Sequence, residues 1–177
     1  MSKEKNFEDG VWRTVGGRRI FIRNGQGLAE AMRESGKFAV KEKPSIKYNS
    51  DVNFICKIRG KKEIEAEFGK LKNYDVVLTN ERKEHIFSRR GKKDYDIIME
   101  NLESTLKYYR ELYCDSKGNR KGVCFIKPIS SNKYCAIMVS LSLSEKNRAN
   151  SNITGIVFNE DNYIRYTQNR KILDKKE

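Results

Sequence analysis

The sequence predicts an α+β fold: helices packed on a four-stranded antiparallel sheet, preceded by a basic hairpin and a linker. Three observations carry this. A strand-like Tyr74-Asp75-Val76-Val77-Leu78-Thr79 runs directly into a helical segment that stops at Gly91. A second apolar stripe, Ile97, Ile98 and Leu102, recurs at helical spacing. Strand candidates divided by turn residues then follow one another without intervening helices, which points to a meander rather than a parallel βαβ sheet.

Taken in order, Gly10 to Ile22 places a short strand on each side of Gly16-Gly17, a hairpin signal. Two strands alone are marginal in water, so this hairpin needs something to dock on. Leu28 to Ser35 has room for about two helical turns. Residues 1–27 therefore read as a basic N-terminal hairpin segment. Residues 28–73 read as a linker, with weak strand character at Val52–Ile58 and a short helix near Glu63–Phe68.

Residues 74–177 read as the main domain. Thr79 or Asn80 is placed to cap a helix running through Arg90, and Asp94 to Leu102 forms the next. The four strand candidates are Thr105–Cys114, Val123–Ile129, Tyr134–Leu143 and Ile153–Phe158. Ser116–Arg120 and Ser130–Lys133 join the first three as hairpins. In the third, Cys135, Ile137, Val139, Leu141 and Leu143 alternate with Ala136, Met138, Ser140 and Ser142, which predicts one buried and one polar face. Ser144–Asn150 reads as a charged loop, and Tyr163–Leu173 as a terminal strand or helix.

Composition narrows the partner. The net charge is +13, the pI about 9.6, and the charge is shared by both halves of the chain. A phosphate-rich partner, RNA and tRNA included, is the natural reading, because Lys and Arg displace condensed counterions from nucleic acid. Hydrophobic content is only 37%, so part of the chain is expected outside any core. No apolar run approaches a membrane span, and the expected location is the cytoplasm. Cys56, Cys114, Cys124 and Cys135 form no Cys-x-x-Cys pair, and with a single histidine no ordinary mixed Cys/His zinc pattern arises. No metal or other cofactor is expected.

That histidine, His85, is the residue of chemical interest. An imidazole exchanges a proton near neutral pH. Arg82 and Arg89 lie three and four residues away, on the same helical stripe, and Arg90 follows. Metal-free RNA cleavage needs a base for the 2′-hydroxyl, an acid for the leaving oxygen and cations for the charge building on phosphate. Lys127, inside an apolar strand, faces either solvent or a cleft. Ser151 and Thr154 are either hydroxyl donors to phosphate or ordinary strand-edge residues. Tyr108, Tyr109, Tyr113, Tyr134, Tyr163 and Tyr166 either stack on unpaired bases or pack in the sheet.

The segments Tyr74–Ile86, Phe125-Ile126-Lys127 and Asn150-Ser151-Asn152-Ile153-Thr154 resemble the phage-barnase-EndoU-colicin-RelE-like nuclease family, in order and spacing, over residues 74–174. Gly10–Gly25 separately resembles a basic hairpin of phage minor head proteins that carry toxin modules. The resemblance implies a phage-encoded, metal-independent ribonuclease, of the tRNase-toxin kind, acting in the host cytoplasm or on the virion. It implies His85, Lys127 and Thr154 as catalytic residues, with Lys127 in the cleft, and Arg82, Arg89, Arg90 and Ser151 on the substrate. It also implies a phage head protein or an immunity protein as partner. The alternatives are a non-catalytic nucleic-acid binder in phage assembly or counter-defence, and a structural appendage of the head.

Overall fold

The computed structural model describes residues 10–15, 18–23, 42–143 and 149–176. The chain divides into two units, Met1–Lys41 and Glu42–Glu177. In the first, strands β1 (Gly10–Val15) and β2 (Arg18–Arg23) pair antiparallel, with Val11 opposite Ile22 and Val15 opposite Arg18. The helical turns expected at Leu28–Ser35 lie outside the described residues.

The second unit begins well before the expected domain boundary at residue 74. β3 (Val52–Lys57) pairs antiparallel with β4 (Asp75–Thr79), and α1 (Lys61–Phe68) connects them. Cys56, Ile58, Ile64 and Leu71 enter the same core as Val76, Leu78 and Ile98. Residues 42–73 are thus part of the folded body and not a linker. Most of their apolar residues are scattered among charged ones, and pairing with β4 brings Cys56 and Ile58 into the core. A buried carboxylate ties the segment down further. Asp75 accepts hydrogen bonds from the Ser45 amide (2.6 Å) and the Tyr48 hydroxyl (2.8 Å), and ion-pairs with Lys57.

Beyond β4, α2 (Asn80–Lys107) starts where the sequence places it. The Thr79 hydroxyl accepts from the Arg82 amide at 3.2 Å, satisfying one of the free N–H groups of the first turn. Gly91, at φ 71° and ψ 167°, breaks the helix into two segments, a conformation open to glycine and costly for other residues. The second segment runs further than expected. Ile98, Leu102, Thr105 and Leu106 form one buried stripe, so the predicted strand at Thr105–Cys114 shortens to β5 (Glu111–Cys114). A helical period with buried positions three and four residues apart prevails over the strand propensity of Thr105 and Tyr108.

The main sheet has five antiparallel strands, not four, in the order β8-β7-β6-β5-β9. β6 (Gly122–Ser130) and β7 (Lys133–Ser140) are joined by the expected tight loop, with Ser130 paired to Lys133. Lys117 and Arg120 close the turn between β5 and β6. β8 (Ser151–Asn159) forms one edge, and residues 144–148 of the loop before it lie outside the described residues. The terminal segment resolves into both expected alternatives. α3 (Glu160–Thr167) is capped by the Asn159 side chain, and β9 (Ile172–Lys175) pairs with β5 as the other edge.

Both faces of this sheet are covered. Leu112, Val123, Phe125, Cys135, Ile137, Val139 and Ile153 pack under α2. Tyr113, Cys124, Ile126, Tyr134, Ala136, Met138 and Phe158 face the other way, against Tyr163 and Tyr166 of α3. The polar face expected for β7 is therefore buried at Ala136 and Met138, because the short α3 folds back over it. Gly155 marks the closest approach on the α2 side: a Cβ there would meet the Ile98 side chain at 2.5 Å.

Candidate functional site

The residues singled out by sequence do not converge on one point. His85 sits half-buried in the first segment of α2, next to the buried Ile86, with Arg82 half-buried and Arg89 exposed on the same stripe. Arg90 turns toward the sheet edge, its Nε donating to the Gly155 carbonyl at 3.0 Å. Part of its hydrogen-bonding capacity is spent inside the protein.

Lys127 lies opposite Cys135 on the α2 face of the sheet, and its Nζ donates to the Ser104 hydroxyl at 3.0 Å. Ser104 is near the C-terminus of α2, about 20 Å along the axis from Gly91 at the helical rise of ~1.5 Å per residue. His85 is on the other side of that break. Thr154 is paired with Met138, and its neighbours Ile153 and Gly155 both meet the α2 core, so Thr154 points to the α3 face. Lys127 and Thr154 are therefore on opposite faces of one sheet and cannot share a phosphate. Ser151, half-buried, is paired with Ser140 at the start of β8.

Asn150, in the same sequence motif, has a structural task. It is fully buried, its amide donates to the carbonyls of Asn73 (2.8 Å) and Asp75 (3.1 Å), and its Oδ1 accepts from the Ser142 amide (2.9 Å). Together with a parallel bridge to Val76 it fastens the β3–β4 ribbon to the main sheet. Both amide N–H donors and the carbonyl oxygen of that side chain are engaged in holding the chain together.

A different site does gather cations. Beyond the end of α2, Tyr108, Tyr109, Arg110, Lys127, Pro128, Lys175 and Lys176 line an open cleft of about 720 Å³. Its floor is built from Tyr109, which is 2% exposed, packs edge-on against Phe125 at 5.3 Å and donates to Asp174 at 2.6 Å. Burial, then the hydrogen bond to that carboxylate, raises the Tyr109 pKa, which keeps the phenol neutral. The Lys176 ammonium sits 3.8 Å above the Tyr109 ring. Tyr108, 46% exposed, stands at the rim.

Of these residues the sequence singled out Lys127 and the two tyrosines; Arg110, Lys175 and Lys176 were missed. Lys175 and Lys176 follow the predicted terminal element, Tyr163–Leu173, and arrive here because Glu111 pairs with Lys175 between β5 and β9. No local pattern announces a pairing across so much intervening chain.

The α3 side of the sheet is chemically unlike the cleft. Glu111 is 2% exposed and accepts from Tyr163 (2.6 Å) and Tyr113 (3.0 Å), with the Lys175 ammonium at 3.4 Å. Burial pulls its pKa up, but the bonds from Tyr163, Tyr113 and Lys175 outweigh that and leave it below the usual carboxylate range. Asp115 accepts from Tyr166 (3.1 Å) and pairs with Arg170 (2.5 Å). Tyr134 stacks on Tyr163 with ring centroids 4.1 Å apart and donates to Glu160 at 2.6 Å. Tyr113, Tyr134, Tyr163 and Tyr166 are packing and network residues, not base-stacking platforms.

Burial pushes the thiols of Cys56 and Cys124 up to about 12 and that of Cys135 to about 11, so all three act as small apolar groups. Among the described residues no helix is long and apolar enough to cross a membrane. Comparison with protein-family models, with curated proteins and with solved structures found no match.

Proposed function

We propose that this protein is a nucleic-acid-binding module whose ligand lies in the basic cleft between the end of α2, β6 and β9. The observation that carries this reading is the lining itself: four cations and two tyrosines, with no acidic residue among the described residues that form it. Lys175 is partly neutralised by Glu111, but lysine and arginine in a lining without carboxylates attract a polyanion by releasing its counterions. The net charge of +13 gives the same attraction at longer range.

The helix-then-meander order is compatible with the nuclease-type scaffold that the sequence resembles. A binding function is favoured over cleavage because Lys127 and Thr154 occupy opposite faces and His85 lies beyond the Gly91 break. An acid–base mechanism needs its groups within hydrogen-bonding reach of the same reacting oxygens. The test is incubation of the protein with total tRNA in EDTA, alongside a binding titration at several salt concentrations. Binding should weaken steeply with salt, and the RNA should stay intact. Cleavage to a cyclic phosphate that His85→Ala slows about 100-fold or more, with affinity unchanged, would overturn the binding reading in favour of metal-free catalysis.

A further inference from the structure

Resting on that reading, we infer that the cleft takes single-stranded nucleic acid, with one unpaired base against Tyr108 and its flanking phosphates on Lys127, Arg110 and Lys176. Tyr109 is committed: buried, bonded to Asp174 and covered by Lys176. Tyr108, in the same lining, has nearly half its surface open. In a duplex both faces of each internal base are already stacked, so an aromatic ring at a cleft rim reaches only an unpaired base.

Lys127 is placed for the phosphate. The ammonium has three N–H donors, and its described partner is one neutral hydroxyl, that of Ser104 at 3.0 Å. That bond positions the charge without discharging it, and leaves two donors for phosphate oxygens. Arg110 is exposed beside it, and a guanidinium can take a phosphate through two parallel bonds. Lys175, by contrast, lies within 3.4 Å of the buried Glu111 carboxylate and is partly neutralised. Pro128 adds a rigid apolar wall of the kind a sugar or base edge packs against.

Size and openness then separate a strand from a free nucleotide. A cleft of about 720 Å³ falls in the range of small-ligand sites. Such sites enclose most of their ligand, whereas this one is open at the surface and is lined by four cations from three elements and their flanks. A strand that enters and leaves satisfies both features. Unpaired bases and phosphates also occur in free nucleotides, so the experiment must include them.

Fluorescence anisotropy on the full chain at low salt supplies the test. Labelled adenylate and deoxyadenylate strands of about ten nucleotides, a typical single-strand site size, would be compared with a duplex of equal length. The strands should bind at least ~10-fold more tightly than the duplex. Tyr108→Ala should weaken strand binding about 5- to 100-fold, as loss of one base–aromatic stack does, and leave duplex binding unchanged; Tyr108→Phe should restore it. Lys127→Ala should lower the salt slope by about one. Equal affinity for strand and duplex with a silent Tyr108→Ala would overturn this inference and leave the broader binding reading standing. ATP or AMP displacing the strand at matching concentrations would instead assign the site to a free nucleotide. No salt-sensitive binding to any probe would remove both readings.

Discussion

Tyrosine appears on both sides of the main sheet, in two unlike chemical settings. On the α3 side the phenols of Tyr113, Tyr134, Tyr163 and Tyr166 each donate to a carboxylate: Glu111, Glu160, Glu111 and Asp115. At the end of α2 the buried Tyr109 likewise donates to a carboxylate, Asp174, whereas the exposed Tyr108 lines a cleft with Arg110, Lys127 and Lys176. The first set closes a buried network and holds α3 and β9 in place. The second leaves cations with charge to spare. Residue type alone therefore says little about these tyrosines; burial against a carboxylate marks the packing residues, and exposure among cations sets Tyr108 apart.

Substituting one tyrosine from each side tests that contrast directly. Tyr163→Ala removes a stacked ring and one of the donors that keep the buried Glu111 ionised. It should cost about 2–3 kcal/mol in a denaturant titration. Tyr108→Ala should stay within about 0.5 kcal/mol of wild type, as exposed positions usually do. Equal losses would make Tyr108 a packing residue and erase the difference between the two sides.

The pH dependence of stability sharpens it further. The folded Glu111 carboxyl has a lowered pKa, so it binds its proton less readily than in the unfolded chain. Its contribution is present above the unfolded value, near pH ~4.3, and is lost as pH falls from there through the lower folded value. Glu111→Gln should therefore flatten the acid limb of a stability–pH curve measured by thermal melts below about pH 4.5. Its effect near neutral pH tests the other half of the network, because the amide keeps an acceptor for Tyr163 and Tyr113 but loses the attraction to Lys175. An unchanged acid limb would mean that the carboxylate is not what holds the α3 side together.

The smallest effect is expected at Lys127. Lys127→Ala should alter the midpoint of thermal unfolding by less than a degree or two, since about 0.5 kcal/mol or less is at stake. A large loss would show that the bond to Ser104 is a structural tie, and would move the cleft's lysine into the same class as the buried network.

Several parts of the fold were legible locally. Thr79 as a cap, Gly91 as a break, and the tight loops around Gly118 and Ser131-Asn132 each depend on the conformational preferences of a few adjacent residues. The alternation in β7 predicted a strand correctly, because side-chain direction repeats every second residue. Whether its second face was polar could not be read from β7 itself. That depended on α3, which is contributed by a later part of the chain.

The sequence by itself thus determined the α+β class, the net positive charge, and the helix that carries His85. These follow from short-range periodicity and from composition. Tertiary structure alone decided that residues 42–73 belong to the core and that β9 brings Lys175 and Lys176 beside Lys127. It also set Lys127 and Thr154 on opposite faces. Each of these outcomes is a matter of strand register between distant segments. A shift of one residue turns every side chain of a strand to the other face, and register is chosen by the packing of the whole domain.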